Sequence, residues 1–301
     1  GGAGSNTAGL SFGGDSSPTS GTEEWNTGVA IGAWSTGGAL NTGRFKLAGF
    51  GTQTAALATG GNPSSKALTE LYNGSAWTEV NDLGTGRYNN AGCGTSTAGL
   101  TFGGFVPPNS ALTESWNGTN WSEVNDLNVA RAALGGAGTQ TSALAFGTYT
   151  SPKQQTELWN GTNWTAVNNM NTGRYYSGSA GTSNTAALVF GGDPASALTE
   201  TWNGTNWTEV GDLNTARLTT GAGTTTAAIA MGGRVPPNTA VTELWNGTNW
   251  TAVASMGTAR YATAPAGTTA AALVSGGTAP TDGGLTEEWN DPGTITKTLT
   301  T

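Results

Sequence analysis

The chain has 301 residues, with 49 glycines, a single cysteine, no histidine, and a net charge of −8 from 19 acidic and 11 basic side chains. Having no histidine removes the commonest general base and the commonest metal ligand, and so few cations leave no basic track for a nucleic-acid backbone. No apolar run approaches the roughly 20 residues that cross a bilayer as a helix, so membrane insertion is not expected.

Charged residues make up only 10 % of the chain, too few for a solvating or disordered polymer, and the glycines show no three-residue period. The lone Cys93 reads as a small buried stand-in for alanine rather than a reactive thiol. The chain opens on Gly1 rather than Met, which reads either as cleavage or as a piece of a longer polypeptide.

Arg44, Arg87, Arg131, Arg174, Arg217 and Arg260 recur every 43 or 44 residues. A period of this length is one supersecondary unit copied in series. The units are expected near residues 1–40, 41–84, 85–128, 129–171, 172–214, 215–257 and 258–301, together one domain over 1–301.

Within a unit the elements follow in a fixed order. A Gly/Ala/Thr stretch such as Gly221-Ala222-Gly223 gives a narrow first strand. Ala186 to Phe190, closed by Gly191-Gly192, is a continuous apolar run, as a strand buried on both faces requires. A loop of variable sequence follows. Leu198 to Trp202 then alternates, which predicts a strand with two unlike faces. Asn203-Gly204, between Trp202 and Trp207, is the favoured core of a tight hairpin. Four short strands per unit and seven units predict an all-β fold, a seven-bladed β-propeller, in which radial repetition hides most strand edges.

The order of Arg, apolar strand, Gly191-Gly192, Trp202 and Trp207 resembles the kelch repeat, with Trp202 in place of the usual Tyr and Tyr72 restoring it. The blades are therefore expected to be kelch-like. The phrase Trp-Asn-Gly-Thr-Asn-Trp, followed by Thr-Glu-Val and Asp-Leu-Asn-Thr-Ala-Arg, also resembles repeats in virion and tail proteins of marine tailed bacteriophages. Kelch-type propellers include the copper radical oxidase related to galactose oxidase, whose site, as that resemblance implies, needs His, Tyr and Cys ligands. None carries over, so no enzyme and no cofactor are expected.

The units depart from one another in places. Trp25 and Trp34 lie nine positions apart instead of five, Gly147-Thr148 replaces the diglycine, and the last unit has Trp289 but no second Trp. That unit ends in the alternating Thr294 to Leu299, read as its own fourth strand. No strand is then expected to be borrowed from the opposite terminus.

The recurring Glu23, Glu70, Glu114, Glu157, Glu200, Glu243 and Glu287 are read as a structural ring paired with the periodic arginines, rather than as ligands. Asp82, Asp126 and Asp212 are read as caps on the turn between blades. Asn73, Asn117, Asn160, Asn203 and Asn246, then Asn120, Asn163, Asn206 and Asn249, form glycosylation patterns, but the needs of the hairpin and of the strand after it are the favoured account of them.

The strongest functional pointer is variation between the diglycine and Thr-Glu, where Phe105, Val106, Tyr149, Lys153, Arg234 and Val235 stand as candidate binding residues. The expected role is a non-catalytic structural or binding propeller on a virion tail or fibre or on a cell surface, hence extracellular, touching a glycan or protein through these loops. The alternative is an extracellular fibre subunit whose role is self-assembly, with a homo-oligomer or polymer as its product.

Overall fold

The computed structural model describes residues 32–278 and 283–291 in full, together with the backbone of strands within residues 2–26. Those first strands are β1 (Gly2–Gly4), β2 (Ala8–Phe12) and β3 (Thr22–Asn26), followed by β4 (Ala33–Gly37). The first blade is β5 (Ala48–Thr52), β6 (Ala55–Thr59), β7 (Thr69–Tyr72) and β8 (Trp77–Glu79). The second is β9 (Ala91–Gly94), β10 (Gly99–Phe102), β11 (Thr113–Trp116) and β12 (Trp121–Val124). The third is β13 (Gly135–Thr139), β14 (Ser142–Phe146), β15 (Thr156–Trp159) and β16 (Trp164–Val167). The fourth is β17 (Gly178–Ser183), β18 (Ala186–Phe190), β19 (Thr199–Trp202) and β20 (Trp207–Val210). The fifth is β21 (Leu218–Gly223), β22 (Ala228–Arg234), β23 (Asn238–Trp245) and β24 (Trp250–Val253). The sixth begins with β25 (Ala264–Gly267), β26 (Ala271–Ser275) and β27 (Thr286–Asn290).

All neighbours within a blade are antiparallel, and the hairpin register is constant: Trp202 faces Trp207, as Trp159 faces Trp164. The inner strands β5, β9, β13, β17, β21 and β25 touch in turn, and β25 returns to β5. The protein is a β-propeller, but of six blades; the expected seven-bladed ring is corrected by this closure.

The missing blade has a physical explanation. β4, the fourth strand of the first unit, does not pair with β3; it pairs with β27, placing Trp34 opposite Trp289. The sixth blade thus takes three strands from one end of the chain and one from the other, so the expectation of no borrowed strand is also overturned. The two sequence departures now make sense together. The longer interval between Trp25 and Trp34 frees β4 to leave its unit, and the last unit lacks a second Trp because Trp34 supplies it. β1, β2 and β3 form a separate three-stranded sheet, whose β3 edge has no fourth strand among the described residues. The segment read as a final strand, Thr294 to Leu299, lies outside the described residues.

Large side chains fill the gaps between blades. The late Trp of each blade donates its indole N–H to the hydroxyl of the Thr that opens or lies within the third strand of the preceding blade. Trp121 reaches Thr69 at 3.0 Å, Trp164 Thr113 at 3.0 Å, Trp207 Thr156 at 3.1 Å and Trp250 Thr199 at 3.1 Å. Trp34 reaches Thr242 at 3.2 Å and Trp77 reaches Thr286 at 3.0 Å, which completes the circle through the borrowed strand. Each such Trp also packs on the aromatic facing it across the hairpin, with Trp202 and Trp207 centroids 5.5 Å apart. Burying such rings while pairing their one polar atom is how a repeat with few apolar residues holds its neighbours.

Candidate binding face

Most of the recurring polar residues are consumed by the architecture. Each periodic arginine is buried and paired with the glutamate of its own blade: Arg44 with Glu70 at 3.3 Å, Arg131 with Glu157 at 2.8 Å, Arg260 with Glu287 at 3.2 Å, and Arg87, Arg174 and Arg217 with Glu114, Glu200 and Glu243. Burial holds the Arg131 and Arg260 guanidinium groups down at about 10, against the pull of their carboxylates. The same carboxylates accept backbone N–H groups from the segment entering the blade, as Glu200 does from Asn171 at 2.8 Å and Thr172 at 3.2 Å. The side chain of Glu23 lies outside the described residues.

Asp82, Asp126 and Asp212 accept from the N–H groups of Thr69, Thr113 and Thr199 at 3.1, 2.9 and 3.1 Å. They tie the end of a fourth strand to the start of the third in the same blade, rather than capping a turn toward the next. Asn73, Asn117, Asn160, Asn203 and Asn246 each accept from the N–H groups two and three residues on, closing their hairpins. Asn120, Asn163 and Asn206 accept from Asn81, Asn125 and Asn168 of the preceding blade. At the corresponding place before Asn249 the chain has Gly211. Cys93 is 5 % exposed, and burial pushes its thiol up to about 12, which keeps it from acting as a thiolate.

What remains gathers on one face. Because the strands of a blade run up and down, the variable loops and the blade-to-blade connections emerge at the same end of the ring. Isolated bridges join them: Phe45 to Asn62, Tyr88 to Phe105, Tyr175 to Asp193 and Tyr261 to Thr278. The Asp15 to Gly21 loop and residues 279–282 lie outside the described residues.

At the centre of this face the ring axis opens into a cavity of about 110 Å³, with Lys46, Asn89, Tyr176, Thr220 and Tyr261 among its walls. The wall residues just after the periodic arginines turn sharply into the inner strands. Lys46, Asn89, Ala133, Tyr176 and Ala262 all have φ between 50° and 59°, a left-handed conformation that non-glycine residues hold only where the surroundings impose it. Deeper along the axis the space is walled by small inner-strand residues such as Gly92, Ala137 and Gly221, with little chemistry to offer.

Aromatic rings and cations alternate around the mouth. The Lys46 ammonium lies 5.6 Å from the Tyr88 ring centroid and 5.9 Å from that of Phe45. Lys153 lies 5.0 Å from the Tyr175 ring, and the Arg234 guanidinium 5.2 Å from the Tyr261 ring. Tyr175 in turn packs on Tyr176 at 5.4 Å and on Tyr149 at 6.3 Å. The hydrogen bond to Asp193, with burial, raises the Tyr175 phenol to about 12, and burial does the same for Tyr176.

The candidate loop residues fall where expected but unequally. Tyr149 and Val235 are 37 % and 40 % exposed, Arg234 is exposed, and Phe105, Val106 and Lys153 are half-buried. The mouth residues Lys46, Asn89, Tyr176 and Tyr261 are not among the candidates that the loop variation points to. Their signal was available: the two positions after each periodic arginine vary from Phe-Lys to Tyr-Asn, Ala-Ala, Tyr-Tyr, Leu-Thr and Tyr-Ala. No family model matches the chain, and no curated protein matches it.

Proposed function

We propose that this propeller is a non-catalytic binding module that holds a saccharide on its variable loop face. The observation that carries this reading is the segregation of side chains. The recurring polar groups are spent on holding blades together, whereas unlike aromatic, amide and hydroxyl groups surround a central cavity. Flat phenol faces stack on sugar rings, and amides and hydroxyls exchange hydrogen bonds with sugar hydroxyls. The kelch-like order of residues and the likeness of the units to phage virion repeats favour a place on a virion or cell surface.

Binding of the intact protein to a panel of immobilised glycans tests the reading. Retention should weaken at least tenfold in Tyr261→Ala and be unchanged in Asn160→Ala, whose side chain serves only a hairpin at the rim. Equal retention by both variants would remove the loop face from consideration.

A second reading, a self-assembling subunit, is favoured by the β3 edge, which has no partner among the described residues. An open edge is a template for pairing with another chain. Concentration-dependent growth in sedimentation would support it, and a single species at all concentrations would exclude it.

A further inference from the structure

We infer that the ligand of the loop face is an acidic polysaccharide, whose negative charges engage the cations around the axial mouth. This rests on the saccharide reading above and adds the sign and spacing of the ligand's charge.

The charge of the molecule is sorted by place. Among the described residues, the only Lys and Arg outside the buried ion pairs are Lys46, Lys66, Lys153 and Arg234. All lie on the loop face, in the blade connection or the variable loops. Apart from Asp193, the unburied carboxylates of the described residues line the outer strands: Glu79, Glu123 and Glu209 on the outermost strands, Glu288 and Asp291 on and just after β27, and Asp82, Asp126 and Asp212 where the outermost strands lead into the blade connections of the loop face, each accepting a backbone N–H. Asp193, in a variable loop of that face, is engaged by Tyr175. A chain of net charge −8 thus surrounds a cationic centre with an anionic rim. Among the described residues this arrangement favours an anion at the mouth over one at the outer strands.

The cations are also held ready for a ligand. Lys46, Lys153 and Arg234 lie over ring faces, and among the described residues none of them is in a salt bridge that a ligand anion would have to displace. Only Lys46 lines the cavity. Arg234 stands one aromatic ring further out, through Tyr261, and Lys153 two, through Tyr175 and Tyr176. One sugar ring in the cavity would place its carboxylate near Lys46, and a chain leaving the cavity would pass Lys153 or Arg234. A single small anion leaves those outer cations unused, whereas a polymer with a charge on each residue uses them. An acidic peptide would supply the charges but not the ring of hydroxyls that the amide and hydroxyl walls of Asn89, Ser177 and Thr220 can pair.

Calorimetric titration of the intact protein with oligomeric alginate, oligogalacturonate, neutral dextran and polyglutamate tests this. The expected result is binding of at least one uronate oligomer, weakened about tenfold by Lys46→Ala and further by Lys153→Ala with Arg234→Ala, and falling as salt rises. The melting temperatures of these variants should stay close to that of the parent, since a cation over a ring at such an open site contributes only weakly to stability. Dextran binding as tightly as the uronates, with no salt dependence, would overturn the acidic assignment and leave the saccharide reading standing. Binding of polyglutamate alone would overturn the saccharide assignment. Binding of none of the four polymers would overturn the inference, with the glycan panel above deciding the broader reading separately.

Discussion

Glu200 is 1 % exposed, and it accepts from the Arg174 guanidinium and from two backbone N–H groups. Its replacement by Gln leaves a guanidinium in the same dry place with no opposite charge. Removing one member of a buried pair costs about 3–5 kcal/mol, since the remaining charge loses its partner without regaining water. Glu200→Gln should therefore lower the unfolding free energy by that amount, read as a lower denaturant midpoint at unchanged slope, and an unmoved midpoint would show that the pair contributes nothing. Tyr176 offers a residue-scale test in pH. Burial raises its phenol to about 12 in the folded state, against about 10 when unfolded. Between these values the folded state holds a proton that the unfolded state has lost, so this contribution is complete below pH ~10 and lost as pH rises toward ~12. Arg131 and Arg260, lowered to about 10, act with the opposite sign over an overlapping window, so only a comparison of variants isolates the tyrosine. Tyr176→Phe should show a shallower fall in stability across that window than the parent, and parallel curves would contradict the assignment.

At the scale of one element, β4 is where sequence and structure part. The repeat period, the four strands, the Asn-Gly hairpin and the Arg with Glu pairing are legible because each depends on residues close together or copied many times. The partner of β4 is not. β3 and β27 carry the same five residues, Thr-Glu-Glu-Trp-Asn, so local pattern offers β4 two identical edges. The choice depends on closing the ring, a property of six inner strands at once. The mouth escaped notice for the converse reason, since a periodic reading weights what repeats, and Lys46, Asn89 and Tyr176 stand where the units differ. The closure can be probed at Gly32, just before β4. A Cβ there would lie 1.9 Å from Cζ2 of Trp289, a ring that is fully buried and cannot swing aside freely. Gly32→Ala should therefore cost about 1–3 kcal/mol by overpacking. A thermal melt unchanged by the substitution would show that the segment entering β4 does not press on Trp289.

At the scale of the whole molecule, a ring that buries its blades only against one another is held by its weakest joint. In this protein that joint is the one place where sheet hydrogen bonds must link the two halves of a blade that are distant in sequence, β27 and β4. The other blades are continuous in sequence and can form as local hairpins. β1, β2 and β3 contribute no strand to any of the six blades. Truncation therefore separates the two roles of the first 37 residues. A chain beginning at Gly32 keeps β4, the Trp34 contact with Trp289 at 5.6 Å and the bond from Trp34 to Thr242, and should melt at the temperature of the parent. A chain beginning at Gly38 leaves the sixth blade with three strands and bares the β27 edge. It should melt lower and associate through that edge, visible as a concentration-dependent species in sedimentation. Equal melting of the two truncated chains would mean that β4 does not close the ring in solution. A loss in the longer chain as large as in the shorter would place the lock in β1 to β3 instead.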